Sequence, residues 1–174
     1  GERQLGTLEA IRTEKSLMVR ALRASGTAVL NGDDPHVMWM AGQTAARVVT
    51  YGFGAHCGVR ASHLRLEWPE GSRFHVNAFG QERDVAVRLI GRYMVYPALA
   101  AIAVSRLEGI DLDGTLSLLG SLPPTPGRME PVALANGVTL LRDDFKSTPT
   151  EGPLPKYSDI SPVKVAMTAG PPPL

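Results

Sequence analysis

Apolar and polar residues alternate with two different periods, and the first part of the chain has the period of helices joined by short strands. From Leu8 to Leu22 the apolar positions recur at helical spacing with charged residues between them. Thr27–Leu30 and Arg47–Tyr51 are short, mainly apolar runs that are typical of buried strands. Between them, Asp34–Met40 begins with an Asp-Pro pair, and proline is favoured in the first turn of a helix. This order predicts an α/β unit with a parallel sheet.

The next part of the chain has the two-residue period of strands that bury one face. Three alternating segments, Val59–Leu66, Arg73–Phe79 and Asp84–Leu89, are separated by glycine-containing turns. They predict an antiparallel meander or a pair of hairpins. Helical periodicity then returns in Tyr93–Leu107 and again in Leu112–Leu119.

Pro123–Gly127 contains three prolines and a glycine and is the strongest boundary signal in the chain. We therefore predict one domain over residues 1–123 and the start of another over 124–174. After the boundary, Asn136-Gly137 predicts a two-residue hairpin loop between Pro131–Ala135 and Val138–Leu141. A further strand is expected within Val163–Met167.

Composition excludes several classes of protein. The net charge is +1, from 18 basic and 17 acidic residues, so no basic patch predicts nucleic-acid binding. No apolar run is long enough to span a bilayer, and cytoplasm is the expected location. The single cysteine, Cys57, excludes an intrachain disulfide. The histidines fall in different elements, and their spacing does not predict a metal site; they are His36, His56, His63 and His75.

Four stretches of the chain resemble Mur ligases and their relatives, the folylpolyglutamate and cyanophycin synthetases. They are Leu5–Glu9 (LGTLE) followed by Lys15, Asn31–Pro35 (NGDDP), Pro126–Glu130 (PGRME) and Asp143–Pro149 (DDFKSTP). They occur in the family's order and at similar spacing. The resemblance covers roughly residues 5 to 150.

The resemblance implies an α/β fold, with a partial central ATP-binding domain over 1–123 and the beginning of a Rossmann-like C-terminal domain over 124–174. Such ligases use ATP and Mg²⁺ to convert a carboxylate into an acyl-phosphate, which an amine attacks to form an amide. The implied pathway is peptidoglycan precursor synthesis. The implied substrates are a UDP-linked muramoyl peptide and an amino acid or dipeptide amine.

The resemblance also implies roles for two residues of the first domain. Lys15 corresponds to a lysine that is carbamylated and helps to hold magnesium, because a carbamate is an anionic oxygen donor; the alternative is a solvated helix face. Asn31 corresponds to an asparagine near the adenine. Its alternative is an Asx-turn followed by a helix cap made by Asp33 or Asp34.

Three residues after the boundary have implied nucleotide contacts. Arg128 corresponds to an arginine that contacts the nucleotide and reports domain closure; its alternative is an ion pair with Glu130. Asp143 and Asp144 lie where the family has an aspartate at the ATP ribose, and an acidic turn is their alternative. Adjacent strand residues point in opposite directions, so these two carboxylates are not an acid–base pair.

The chain also departs from the family pattern. Its 174 residues contain no Gly-x-x-Gly-Lys-Thr/Ser phosphate loop. Tyr93, Met94 and Pro97 replace a histidine and two asparagines, and Phe145–Thr148 replaces the usual tyrosine and Asn-Pro approach. Glu151–Pro155 cannot form the helix expected there, so we predict a gap in the chain after about residue 150.

These departures leave three hypotheses open. The first is a fragment of a Mur-type ligase that is inactive alone. The second is a non-catalytic Mur-like binding or partner domain, and the third is a ligase of the folylpolyglutamate or cyanophycin synthetase kind.

Overall fold

The computed structural model describes residues 8–144 and the backbone of residues 165–167. The described helices are Leu8–Arg20 (α1), Pro35–Ala41 (α2), Arg92–Leu107 (α3) and Leu112–Ser121 (α4). The larger sheet contains Thr27–Asn31 (β1), Arg47–Gly52 (β2), Val59–Glu67 (β3), Gly71–Ala78 (β4) and Gln81–Val87 (β5). The smaller sheet contains Glu130–Ala133 (β6), Thr139–Arg142 (β7) and Val165–Met167 (β8). None of the helices in this part of the chain is long and apolar enough to cross a membrane.

The larger sheet has the strand order β1-β2-β3-β4-β5 and combines both predicted patterns. β1 pairs with β2, and β2 with β3, in parallel, whereas β3, β4 and β5 form an antiparallel meander. The parallel unit and the meander are therefore confirmed. The alternation did not predict that they form one sheet, which they do because Tyr51 pairs with Val59.

β1 is apolar throughout its middle because both of its faces are covered. Ala28 and Leu30 lie in a core with Val19 of α1 and apolar residues of α2. Val29, between them, packs against the opposite core, to which α3 belongs. Successive strand residues point to opposite faces, so this mixed sheet has helices on both sides at β1.

α3 buries one apolar stripe against the strands. The buried residues follow helical spacing and are Val95, Ala98, Leu99, Ile102 and Ala103. Inward-facing residues of β3, β4 and β5 complete this core; they include Val59, Phe74, Val76 and Val85. α4 covers β5, and Arg83 Nε donates to Asp113 at 2.7 Å, which links this strand to the helix.

The hairpin of the smaller sheet differs from its prediction by one residue. The Leu134 N–H donates to the Val138 carbonyl at 2.8 Å, so three residues rather than two form the loop. The Gly137 N–H donates to the Leu134 carbonyl at 3.0 Å, and Gly137 has φ +80°. A glycine in the left-handed region closes a three-residue hairpin loop with a bulge. The two-residue prediction is wrong because an Asn-Gly pair is compatible with both loop lengths. In this three-residue loop Gly137 takes the left-handed position.

Several other predictions fall at the ends of the described residues. The expected strand near the C-terminus is confirmed for Val165–Met167. Leu5–Thr7, Phe145–Pro149 and Glu151–Pro155 lie outside the residues that the structure describes. The division of the chain at residue 123 stays a prediction.

Replacing Leu99 with alanine should destabilise the fold strongly, because its side chain is 0% exposed at the centre of the α3 stripe. We expect the free energy of unfolding to fall by about 2–5 kcal/mol. Leu118 of α4 is 68% exposed, so Leu118→Ala should change it by less than about 0.5 kcal/mol. Urea denaturation measures both variants. Equal losses would show that α3 does not organise the core.

Candidate functional site

The carboxyl ends of β1 and β2 lie side by side at one edge of the larger sheet. Their ladder ends where Asn31 pairs with Tyr51. The chain then leaves β1 through Gly32–Asp34 and leaves β2 through Phe53 and Gly54. Open α/β sheets bind ligands beyond the carboxyl ends of their strands, and polar side chains on these two loops are therefore candidates.

Asp33 connects three separate elements through one carboxylate. Its Oδ2 accepts hydrogen bonds from the Phe53 N–H at 2.7 Å and from the Tyr96 hydroxyl at 2.9 Å. Its Oδ1 accepts from the Gly54 N–H at 2.8 Å. The loop after β1 is thereby fixed to the loop after β2 and to α3.

The surroundings of Asp33 favour its ionised form. Partial burial opposes ionisation, but the hydrogen bonds from Phe53, Gly54 and Tyr96 and the positive charge of Arg92 together outweigh it. The pKa of Asp33 therefore lies below its usual value. For Tyr96, burial and the neighbouring Asp33 carboxylate raise the pKa of the phenol.

Aromatic rings and one arginine pack around this carboxylate. The guanidinium of Arg92 lies 3.7 Å from the centre of the Phe53 ring. The rings of Phe53 and Tyr96 meet edge to face at 5.4 Å between centroids. These contacts hold a cation at the edge of the sheet beside Asp33.

Asn31 and Asp34 also hold the loop after β1. Asn31 Oδ1 accepts from the Asp33 N–H at 3.0 Å, which is the Asx-turn given above as the alternative role of Asn31. Asp34 Oδ1 accepts from the His36 N–H at 2.8 Å and caps α2. Of the two possible caps, the structure therefore uses Asp34, and Asp33 has the different role described above. Because Asn31 Oδ1 is engaged, the Nδ2 amide is the group that Asn31 can direct to a ligand.

A cavity of about 410 Å³ opens at this edge. Its lining residues are Asn31, Asp33, Asp34, Pro35, Tyr93 and Tyr96. Tyr93 is 85% exposed and offers an aromatic face at the rim. A somewhat larger cavity, about 470 Å³, lies on the outer surface of β3 and β4, away from these strand ends. In that cavity His75 and Asp84 are already paired with each other, and the cavity lies on the face of two strands and not at their carboxyl ends. We therefore place the candidate site at the strand ends.

The remaining predicted residues lie elsewhere. Lys15 is exposed on α1. Arg128 is exposed in the turn before β6. Asp143 Oδ1 accepts from the Met129 N–H at 3.4 Å, which brings it next to the Arg128 segment. Asp144 binds Arg142 Nε at 3.0 Å. The structure thus brings Asp143 to the backbone of the residue after Arg128, and it places Asn31 in the loop that contains Asp33.

Reasoning from the sequence missed the group formed by Asp33, Phe53, Gly54 and Tyr96. The sequence pattern indicates Asp33 only as a possible helix cap and predicts no role for Gly52–Gly54. The usable signal was the position of both segments directly after neighbouring parallel strands. Tyr96 had no such signal, because its contact crosses 63 residues of the chain.

Comparison with known proteins identifies similar chains. Residues 3–105 match the family model of the Mur ligase middle domain. The chain is 33% identical over 156 residues to the UDP-N-acetylmuramyl-tripeptide synthetase of Roseiflexus sp. (strain RS-1), a match that covers 83% of this chain and 30% of that protein. The chain therefore spans about a third or less of the curated relatives it matches.

Two solved structures have the same fold over this region. MurF from Acinetobacter baumannii superimposes with a TM-score of 0.74 at 19% identity, covering 83% of this chain and 31% of that one. MurF ligase from Thermotoga maritima in complex with ADP gives a TM-score of 0.72 at 19% identity, covering 83% and 33%. The mixed α/β fold of this chain is thus that of these ligases.

Replacing Asp33 with asparagine should destabilise the protein and flatten its response to acid. The amide can accept with only one oxygen, so a donor loses its partner at a cost of about 1–3 kcal/mol. The lowered pKa means that the stabilisation from ionised Asp33 is complete above an unfolded-state pKa of about 3.9 and is lost as pH falls through the lower folded-state value. Urea denaturation between neutral and acidic pH measures both effects.

Asp84→Asn is the control, since its side chain is 81% exposed. That variant should keep the acid response of the parent protein. An Asp33→Asn variant with unchanged stability would contradict the role given to this carboxylate.

Proposed function

Because the chain belongs to the Mur ligase family, through that family's middle domain, we propose that it is part of a cytoplasmic ATP-dependent carboxylate–amine ligase of peptidoglycan precursor synthesis. The ligase would form an acyl-phosphate from ATP and a UDP-linked muramoyl peptide. An amino acid or dipeptide amine would then attack it to form an amide. The name of the relative from Roseiflexus, a tripeptide synthetase, supports this substrate class.

The position of Asn31 carries the nucleotide part of this proposal. Asn31 ends β1 and lines the cavity at the strand ends, with its Nδ2 amide as a donor. A donor beside aromatic faces suits a purine base, which presents ring nitrogens as acceptors and a flat surface. The Thermotoga ligase with the same fold is described with ADP. We therefore assign the adenine of ATP to this cavity.

The smaller sheet supplies the other proposed nucleotide contacts. Asp143 accepts from the N–H of Met129, the residue after Arg128, and Asp144 follows Asp143 directly after β7. A guanidinium suits phosphate oxygens, and a carboxylate suits the hydroxyls of a ribose. We assign Arg128 to the phosphate or base, and Asp143 or Asp144 to the ribose.

Magnesium fits Lys15 only after a chemical change. The ammonium group of a lysine side chain such as the exposed Lys15 has no electron pair to offer a metal ion. A carbamate on Lys15 would provide the anionic oxygen that Mg²⁺ prefers. When bound, Mg²⁺ would supply charge neutralisation for the transferred phosphoryl group.

A second candidate function is a non-catalytic Mur-like binding domain, and α3 carries the observation that favours it. Tyr93 and Pro97 take the places of a histidine and an asparagine, Tyr93 is 85% exposed, and Pro97 has no polar side chain. The sequence of the gene upstream of Gly1 separates the two functions, because catalysis needs a phosphate loop. A ligase that adds glutamate to, or polymerises amino acids on, a different acceptor stays a third alternative.

Replacing Asn31 with alanine should weaken ADP binding to the 174-residue chain. Loss of one hydrogen bond of about 0.5–1.5 kcal/mol raises the dissociation constant roughly 2- to 13-fold. The matched control is Asn77→Ala, since Asn77 lies on β4 and donates to Glu82 at 3.0 Å. Titration followed by amide NMR measures affinity and also locates the perturbed residues.

The same titration can refute the assignment. ADP should shift the amide signals of Asn31, Gly32 and Tyr96 and leave those of β5 unchanged. Equal affinity in Asn31→Ala and the parent chain, or shifts confined to other residues, would remove adenine from this cavity.

The chain alone should release no phosphate from ATP, with or without an amine acceptor. Its 174 residues lack the lysine and hydroxyl side chain of a phosphate loop, which hold the β- and γ-phosphates and Mg²⁺. A coupled phosphate assay with a complete Mur ligase as positive control measures this. Phosphate release that persists in Lys15→Ala and Arg128→Ala variants would show a different catalytic arrangement.

A further inference from the structure

Asp33, His56 and Cys57 come together beside the loop that follows β2. A carboxylate oxygen of Asp33, a ring nitrogen of His56 and the sulfur of Cys57 all lie within 4.8 Å of one another. Oxygen, nitrogen and sulfur from these residue types are the ligands of four-coordinate zinc. We propose that the three side chains bind one zinc-class transition-metal ion. This site shares Asp33 with the cavity that we assign to adenine, but binding of the ion requires neither ATP nor magnesium.

Asp33 can bind an ion without losing its structural hydrogen bonds. Phe53 and Tyr96 donate to Oδ2. Oδ1 accepts from the Gly54 N–H at 2.8 Å and from the Cys57 thiol at a Sγ–Oδ1 distance of 4.0 Å, and the thiol contact is given up when the sulfur binds a metal ion. A carboxylate offers about four lone-pair sites, so Oδ1 keeps one directed away from its N–H partner.

His56 is held as a metal-ligating histidine usually is. Its Nε2 lies 2.9 Å from the Gly32 carbonyl oxygen. A carbonyl can only accept, so Nε2 carries the proton in this contact and Nδ1 keeps its lone pair. Histidines that bind metals commonly donate their other ring N–H to a backbone carbonyl, which fixes the ring.

Glycine leaves the space beside these atoms open. A Cβ on Gly54 would lie 2.9 Å from His56 Nδ1 and 3.0 Å from Asp33 Oδ1. The position between the two donor atoms is therefore accessible only because residue 54 has no side chain. A Cβ on Gly32 would likewise lie 2.7 Å from Cys57 Sγ.

The donor set selects the kind of ion. Thiolate and imidazole favour zinc and neighbouring transition metals, whereas magnesium prefers oxygen. On binding, the S–H bond of Cys57 breaks, a sulfur–metal bond forms, and the proton passes to solvent. His56 is exposed, so water can fill the fourth position.

Cobalt(II) provides a direct test on the 174-residue chain. Cys57 is its single cysteine, so a thiolate-to-cobalt charge-transfer band reports this residue alone. We expect the band to saturate at one equivalent of Co²⁺ per chain. Zn²⁺ should displace the cobalt and Mg²⁺ should not. Absence of the band would overturn the proposal.

Matched variants test the other ligands. Cys57→Ser should abolish the band, and circular dichroism checks that the variant folds. His56→Gln, at an exposed position, and Gly54→Ala, which removes no ligand, should each weaken Co²⁺ binding at least about 10-fold. His63→Asn is the control, because His63 is exposed with φ +51° and asparagine tolerates that conformation. A band unaffected by both His56→Gln and Gly54→Ala would overturn the site.

Discussion

The carboxylate of Asp33 is the interaction on which the strand-end region depends. The ladder between β1 and β2 reaches Asn31 and Tyr51, and one further hydrogen bond joins the Gly32 N–H to the Tyr51 carbonyl at 2.8 Å. Beyond that point the strand pairing ends and no longer joins the loop after β1 to the loop after β2. The Asp33 carboxylate joins them instead, through charge-assisted hydrogen bonds from the Phe53 and Gly54 N–H groups, which are stronger than neutral hydrogen bonds.

The same carboxylate determines where α3 meets the sheet. The apolar stripe of α3 fixes the rotation of the helix, because Leu99 and Ile102 must face the strands. Tyr96 then lies at the border of that stripe, close enough to donate to Asp33 at 2.9 Å. The packing of α3 and the hydrogen bond from Tyr96 are therefore compatible with the same position of the helix. The cavity at the strand ends is the space left between α3 and the loop after β1. A change in either contact would alter the shape of the cavity.

The fold could be predicted from the sequence where local patterns decide the structure. Burial on both faces makes the middle of β1 apolar, and burial on one face makes β3, β4 and β5 alternate, so the two types of strand have different patterns. The pairing of β2 with β3 was not predictable, because periodicity shows which side chains of a strand share a face but not which strands lie next to each other. The hairpin loop is one residue longer than predicted, because the same Asn-Gly pair suits two turn types.

The candidate site was predictable only in part, for a similar reason. Asn31 could be found because it ends a strand, and Asp34 because it precedes Pro35 at the start of a helix. The roles of Asp33, Phe53 and Tyr96 arise from contacts between elements far apart in the chain, which no spacing reveals. The proximity of His56 to Asp33 also could not be predicted from the sequence. The two residues are 23 positions apart and come together only because β1 pairs with β2.

The two acidic residues at the end of β1 limit how this edge can recognise a ligand. Asp34 caps α2, and Asp33 accepts from three donors, so both carboxylates already serve groups of the protein itself. The carbonyl of the Asn31 side chain is engaged as well. Under the proposed function, polar recognition here therefore rests on the Asn31 amide, and the remaining contact comes from the faces of Tyr93 and Tyr96. Stacking on an aromatic face contributes about 1–3 kcal/mol per base in single-stranded nucleic-acid complexes, which is comparable to or larger than one hydrogen bond. The presence of Tyr93 in place of the family's histidine thus leaves an aromatic face on α3 available to a base, although Met94 and Pro97 remove the polar contacts of the two asparagines.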